Sequence, residues 1–505
     1  MRLGIKNPNL SLQLQGYLDG RSMAIKLKLL IDKEKNRVVL AESDKYFVDT
    51  LFSFLTIPIG AIVRLSSQKS NIGCMDALQE SIKNIDSQYL QTEAVKEMLF
   101  CPRSTWEART NDLALNVDTE LTRYYVCASC YAGSHPLIST VKNVRCRCGK
   151  VMGKEVVVNK PDPVTNGINE GVFVKRTMKF MIGDDLRVGP ISTMTFISLL
   201  DKLGVRDRAA LEEKIVDVGA DEALNILRRM LVSNTPLTDV FLPKPEAVED
   251  AFHALKLSDE DIAIDKNDTG KTMSLKLLIS KSKNRVLYAE ATEDFLDLLF
   301  SFLSFPLGAI VNLLRPGCSI RCLDNLYKSV EDLSCGDNCI ISEECRAMLL
   351  DPKLSLHSGC ENQILPVVEA APKTFDISLC VPCVYCGRSC HYTSYRCFKS
   401  LLLHFINPKL SDAATETGGG FVKGPKIMFM VTDGLDVEPL SVISGISILD
   451  RYQVPISDVQ ERVVSVGQDQ ALSLLKAALC SRTVLSDVFC GKKVDQSQIK
   501  LERDQ

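Results

Sequence analysis

The sequence predicts an α+β fold built twice in tandem. Three observations carry this: strand-like and helix-like runs are segregated instead of alternating, one long block recurs at a fixed offset, and cysteines gather in close pairs between the runs. In the first copy, Ile25–Ile31 and Arg37–Glu42 are apolar or alternating around the polar Lys33-Glu-Lys-Asn36, which predicts a β-hairpin. The second copy repeats this around Lys281-Ser-Lys-Asn284. An apolar helix follows from about Asp44 to Leu55, with Asp44 and Thr292 as cap candidates in the two copies. Leu51–Val63 and Leu298–Val311 are the most membrane-like stretches, but both are too short for a hydrocarbon core of about 30 Å. Each carries a proline, Pro58 or Pro306, so a buried helix ending at a Pro-x-Gly turn is expected. Two short helices, Asp76–Ile85 and Thr92–Leu99, precede a cysteine-rich insert.

The later part of the copy opens with strand-like Lys179-Phe-Met-Ile, a turn at Gly183-Asp-Asp and strand-like Leu186-Arg-Val. Leucines at helical spacing then predict helices at Ser192–Leu203, Arg208–Val216 and Asp221–Leu231. Each copy is thus expected to be a β-hairpin plus helices, a zinc-ribbon-like cysteine insert, and a C-terminal hairpin with a helical bundle.

The duplication rests on counting. Leu27–Leu65 laid over Leu275–Leu313, at an offset of 248, gives 25 identities in 39 positions. The register returns at Cys74/Cys322, Phe173-Val-Lys over Phe421-Val-Lys, and Thr238-Asp-Val-Phe over Ser486-Asp-Val-Phe. A period this long indicates tandem domains and not a solenoid. The expected division is an N-terminal extension, 1–22, disordered; a first module, 23–242; an acidic linker, 243–272; a second module, 273–490; and a polar tail, 491–505.

The chain has 46% hydrophobic residues and a net charge of -3, so it can bury several cores and has no global basic field. The N-terminus lacks a signal-peptide apolar core, which favours an intracellular, reducing compartment, cytoplasm or nucleus. There, clustered thiols bind metal more often than each other. Cys127-Ala-Ser-Cys130 and Cys146-Arg-Cys148-Gly149 offer four thiolates as two short-spaced pairs, resembling a zinc ribbon. The Cys-x-Cys spacing strains chelation by both of its sulfurs, and ordinary reduced cysteines are the alternative. In the second copy Cys380, Cys383, Cys386, Cys390 and Cys397 are the candidate ligands, with His391 beside them; Tyr395 stands where the first copy has Cys146. Cys74 and Cys322 read as small buried hydrophobes.

The sequence shows no Walker-type loop, dinucleotide fingerprint, nucleophile elbow or His-Glu-x-x-His helix. None of the five histidines aligns between copies, which excludes a histidine-based site common to both. Glu42/Glu290, Asp49/Asp297, Asp76/Asp324, Asp184/Asp433, Asp201/Asp450 and Asp239/Asp487 do align. Most fall at predicted turns or helix starts, where capping is the expected role; Asp184 and Asp433 are the least badly placed acid/base candidates. Around the cysteine insert, Arg123, Lys142, Arg145, Arg147 and Lys150 form a local basic patch that could grip a nucleic-acid backbone. Solvated charges flanking thiolates are the bland alternative. The functional expectation is a non-enzymatic interaction or scaffold protein with a structural zinc and an unknown protein partner. Nucleic-acid binding through the basic insert, or an enzyme with an unrecognised site, are the alternatives.

Five stretches carry a resemblance. They are Leu27 to Gly60, Arg145-Cys-Arg-Cys-Gly149, Gly171-Val-Phe-Val174, Asp184-Asp-Leu186 and Pro236-Leu-Thr-Asp-Val-Phe241. Together they resemble the plant "domain of unknown function 674" family over nearly the whole chain from about residue 23. The resemblance implies a plant source and no mechanism, and the second copy departs from it by lacking the Cys-x-Cys-Gly element.

Overall fold

The computed structural model describes residues 24–67, 70–110, 113, 123–130, 137–156, 171–175, 178–242, 270–315, 320–333, 339–370, 375–380, 398–410, 419–425 and 427–490. The fold is mixed α+β. The predicted hairpins form as Ile25–Asp32 with Arg37–Ser43, and Met273–Ser280 with Arg285–Ala291. Each tight turn closes on an asparagine with positive φ, Asn36 at 43° and Asn284 at 45°, a conformation asparagine tolerates better than most residues. Leu27, Leu29 and Ile31 point to the core from alternate positions, as the two-residue period of a strand requires.

Each hairpin sits inside a five-stranded antiparallel sheet, and the two sheets share one strand order. The first runs Leu211–Val218, Ile25–Asp32, Arg37–Ser43, Phe180–Gly183, Val188–Pro190. The second runs Val459–Val466, Met273–Ser280, Arg285–Ala291, Phe429–Thr432, Val437–Pro439. The outermost strand corrects the sequence reading, which placed a helix at Arg208–Val216. Leu211 and Ile215 have helical spacing, but the free edge of the first hairpin strand needs partners for its N–H and C=O groups. The β-branched Ile215, Val216 and Val218 suit that edge, and Ile25 to Asp32 pair with Val218 to Leu211 in unbroken register.

The predicted C-terminal helices form at Thr193–Leu203 and Ala220–Val232 and lie on opposite faces of the sheet. Ile226, Leu227 and Met230 enter the main core, whereas Phe196, Leu199, Leu200 and Leu203 cover Leu30, Leu40 and Met181 on the other face. Asp44 caps the Lys45–Ser53 helix by accepting from the Tyr46 N–H, but Thr292 makes no side-chain cap bond. Nor does the apolar stretch end at its proline. After a 3-10 turn at Phe54–Thr56, Pro58 starts a second helix, Ile59–Leu65, and Pro306 likewise starts Leu307–Leu314. Proline fits there because the first turn of a helix has no use for its missing N–H.

These two proline turns meet. Pro58 and Pro306 bridge antiparallel, the Ile59 N–H donates to the Phe305 carbonyl (3.1 Å) and the Leu307 N–H to the Ile57 carbonyl (3.1 Å). The exchange extends outward in reciprocal pairs. The helix Arg321–Asp332 supplies Ser329, whose hydroxyl accepts from Val188 N–H at the edge of the first sheet; the helix Met75–Asn84 supplies Ser81, which does the same for Val437 on the second. Val174 bridges to Ile340, and Leu90 to Val422. The buried thiols of Cys322 and Cys74 donate to the Ser233 and Ser481 carbonyls. The helices Met75–Asn84 and Arg321–Asp332 thus pack against the sheet of the other half, while Lys45–Ser53 and Glu293–Ser301 stay on the sheet of their own. One continuous hydrophobic core results, in which Phe47, Phe52, Phe54, Phe295, Phe300 and Phe302 are wholly buried. At about 2 to 3 kcal/mol per buried phenylalanine, this shared core dominates the stability of both halves. Among the described residues no helix is long and apolar enough to cross a membrane.

Candidate metal centre

The Tyr124–Val126 strand runs directly into the first cysteine pair, and the short hairpin Val144–Arg145 with Val151–Met152 carries the second. Both pairs sit on tight turns closed by main-chain hydrogen bonds, Cys130 N–H to Cys127 O (3.1 Å) and Gly149 N–H to Cys146 O (2.8 Å). Gly149 has a φ of 81° with open space around it, so its role is conformational: it lets the chain reverse immediately after Cys148. That reversal also aims the Cys146 N–H at Lys150 O (2.8 Å).

The four sulfurs of Cys127, Cys130, Cys146 and Cys148 converge to within 4.8 Å of one another, with Cys127 and Cys148 at 3.6 Å. A tetrahedral thiolate set around an ion at about 2.3 Å needs sulfurs a little under ~4 Å apart, so the cluster could hold a metal ion. Cys127 and Cys146 are buried with Leu137 and Met152, while Cys148 is exposed. The Lys150 backbone N–H, helped by the Cys130 thiol, brings Cys148 down to about 7. Hydrogen bonding with Cys148, then burial, pushes Cys130 up to about 12, and burial raises Cys146. Without a metal the cluster therefore favours the thiolate of Cys148 over those of Cys130 and Cys146; a cation at the centre would favour ionisation of these as well.

The insert is anchored by the other half of the chain. Phe398–Phe405 pairs with Phe375–Cys380 and lies parallel to Leu137–Ser139, extending the sheet of Tyr124–Val126 and Lys154–Val156 to five strands. Ile406 packs under the cysteine cluster, and the Phe405 ring stands 6.2 Å from that of Tyr124. Of the second-copy ligand candidates, Cys380 ends a strand, while Cys383, Cys386, Cys390 and Cys397 lie outside the described residues.

Among the basic residues, Lys142, Arg145, Arg147 and Lys150 are all exposed on or beside the cysteine hairpin. Lys150 also donates to the Ser129 hydroxyl (2.8 Å), tying the two cysteine turns together, and Arg123 sits 3.8 Å from Glu155. Asp184 and Asp433 each hydrogen-bond to a late helix. Asp184 accepts from the Thr238 N–H (2.9 Å) and hydroxyl (2.7 Å), Asp433 from the same groups of Ser486 (both 2.8 Å), and both carboxylates are buried.

Asp49 and Asp297 depart from the cap reading. They lie inside helices and clamp distant backbone: Asp49 takes the N–H groups of Val172, Phe173 and Val174, and Asp297 those of Phe421 and Val422. Nothing in local sequence shows this, although the repeat register does align both the acids and the clamped segments.

The model of the family described as "Protein of unknown function (DUF674)" matches residues 21–469. The chain belongs to that family. Its match runs as one span through both sheets and the cysteine insert. No curated protein and no solved structure matches the chain.

Proposed function

We propose that this protein is a non-catalytic interaction scaffold, formed by tandem duplication, whose cysteine insert is a structural zinc ribbon. The convergence of four cysteine sulfurs carries the zinc reading. Thiolates at all four tetrahedral positions are the pattern of structural zinc, whereas catalytic zinc keeps a position for water or substrate. The scaffold reading is supported by apolar side chains left in solvent at equivalent places of both halves. Met194, Ile197 and Ile215 are exposed in the first, and Ile443, Ile446 and Val463 at the matching positions of the second. A reducing compartment would keep the thiols available.

Metal analysis of the purified full chain tests the zinc reading. We expect at least one zinc per chain, lost in Cys127→Ser and Cys146→Ser; a metal-free chain with all four thiols titratable would refute it. If Cys380, Cys383, Cys386, Cys390 and Cys397 supply a second site, the content rises to two. Nucleic-acid binding is the second reading, favoured by the exposed Lys142, Arg145, Arg147 and Lys150 on one small element. A low-salt gel shift abolished by Arg145→Ala with Arg147→Ala would support it, and no shift at low salt would end it.

A further inference from the structure

The outermost strands of the two sheets share their exposure and differ in their chemistry. Among the described residues, Leu211–Val218 and Val459–Val466 each pair with one neighbour, in unbroken register, and each is exposed along most of its length. The Lys281 N–H donates to the Asp458 carbonyl (3.0 Å), which sets the phase of the second ladder. Bonded and non-bonded pairs alternate between antiparallel strands. Gln460, Arg462 and Val464 therefore turn their N–H and C=O groups towards Met273–Ser280, and Val459, Glu461, Val463 and Ser465 turn theirs outward. The bond from Lys33 N–H to Ala210 O (2.9 Å) sets the same phase in the first half, where Leu211, Glu213, Ile215 and Asp217 face outward.

A long, regular edge pairs with another strand unless charge, proline or a bulge blunts it. The first half keeps exposed charges at Arg208, Glu212 and Asp217. At the same repeat positions the second half has Ile456, Gln460 and Ser465, with Ile456 82% exposed and the outward Val463 64%. The two charges left on Val459–Val466 are turned back onto their own chain: Glu461 meets Lys276 (3.1 Å), and Arg462 donates to the Phe489 carbonyl (3.2 Å). We propose that Val459–Val466 is a homodimer interface, pairing antiparallel with the same strand of a second copy. A two-fold axis at Arg462 sets Glu461 opposite Val463 and Val459 opposite Ser465, so all four outward residues exchange both backbone bonds. Gln460 then faces Val464, no two acids face each other, and the arginines that meet at the axis are already drawn aside to Phe489. On the first strand the same symmetry would set Glu212 and Asp217 against Val216 and Leu211, covering charge with apolar side chains. The inference rests on the scaffold reading, to which it gives a partner, and is independent of the zinc.

Sedimentation equilibrium of the full chain tests it. A concentration-dependent equilibrium between monomer and dimer is expected. Val463→Pro leaves the internal ladder whole, because that N–H points outward, and should weaken the dimer by about tenfold or more. Gln460→Glu combined with Ser465→Asp should do the same, with residues that the first half carries at these places. Ile215→Pro, the matching change on the first strand, should leave the dimer unaltered. Circular dichroism checks that Val463→Pro folds; if it does not, the double variant decides. A parent chain that stays monomeric at submillimolar concentration would overturn the proposal, while the scaffold reading would stand with a different partner. A dimer undiminished in the deciding variant, or weakened equally by Ile215→Pro, would also overturn it.

Discussion

The two halves share their apolar skeleton and differ in their polar fittings. Phe47 and Phe295, Phe52 and Phe300, and Phe54 and Phe302 are wholly buried at matching positions, and the strand orders agree. The clamp acids, by contrast, have different company: three N–H donors and Lys45 at Asp49, two donors, Lys409 and the neighbouring acid Asp294 at Asp297. Close packing punishes any change of volume at the core, so the skeleton is held. A polar group at the rim of that core can be rewired once solvent or a ligand shares its satisfaction.

The comparison can be broken at several points. The largest effect is expected at Gly73, which has a φ of 47° and whose added Cβ would run into the backbone of Ala478; the second half carries Arg321 there without that conformation. Gly73→Arg should cost about 4 kcal/mol in urea unfolding, since backbone cannot yield as a side chain does. A neutral result would mean the two junctions are interchangeable. Next come the clamps. An asparagine at 297 can still accept both bonds on one oxygen, whereas at 49 its NH2 would face the Val172 N–H. Asp49→Asn should therefore be less stable than Asp297→Asn by about 2 kcal/mol at pH 7, and equal costs would show that the missing third donor is immaterial.

Proton linkage sharpens the same contrast. Burial, opposed by the clamp N–H bonds, lifts Asp49 to about 6 and Asp297 to about 7. A carboxyl raised on folding contributes stability that is full below its unfolded value, near 4, and is lost as pH rises through the folded value. Stability should thus decline by several kcal/mol between pH 4 and 7, and Asp297→Asn should reduce that slope across the whole window and remove the clamps' share of it between pH 6 and 7. An unchanged slope would mean other groups produce it. A smaller and local effect belongs to Cys148: in metal-stripped protein at pH 7 it should be the first of the four thiols alkylated by iodoacetamide, and metal should suppress the reaction. The least effect is expected at the surface, where Lys28 meets one acid, Glu213 at 2.9 Å, and Lys276 meets two, Glu290 at 3.2 Å and Glu461 at 3.1 Å. Replacing either with methionine should barely move the melting midpoint, with any difference erased by high salt.

Much of the local structure was legible from pattern: both hairpins, the helices at Met75–Asn84, Ala94–Phe100, Thr193–Leu203 and Ala220–Val232, and the two cysteine pairs that close into one cluster. Period and turn chemistry are short-range, so a few neighbouring residues carry them. The Leu211–Val218 strand was misread because its pattern is mostly exposed and its identity comes from the partner edge it meets, about 180 residues away. The wiring of each half into the other was equally hidden, since matching sequence segments do not say which sheet a helix packs against. Sequence by itself thus determined most of the local elements and the four cysteines that form the cluster. Tertiary structure decided the exchange of helices and the clamps at Asp49 and Asp297, because each depends on distant backbone groups brought together by the burial of one common core.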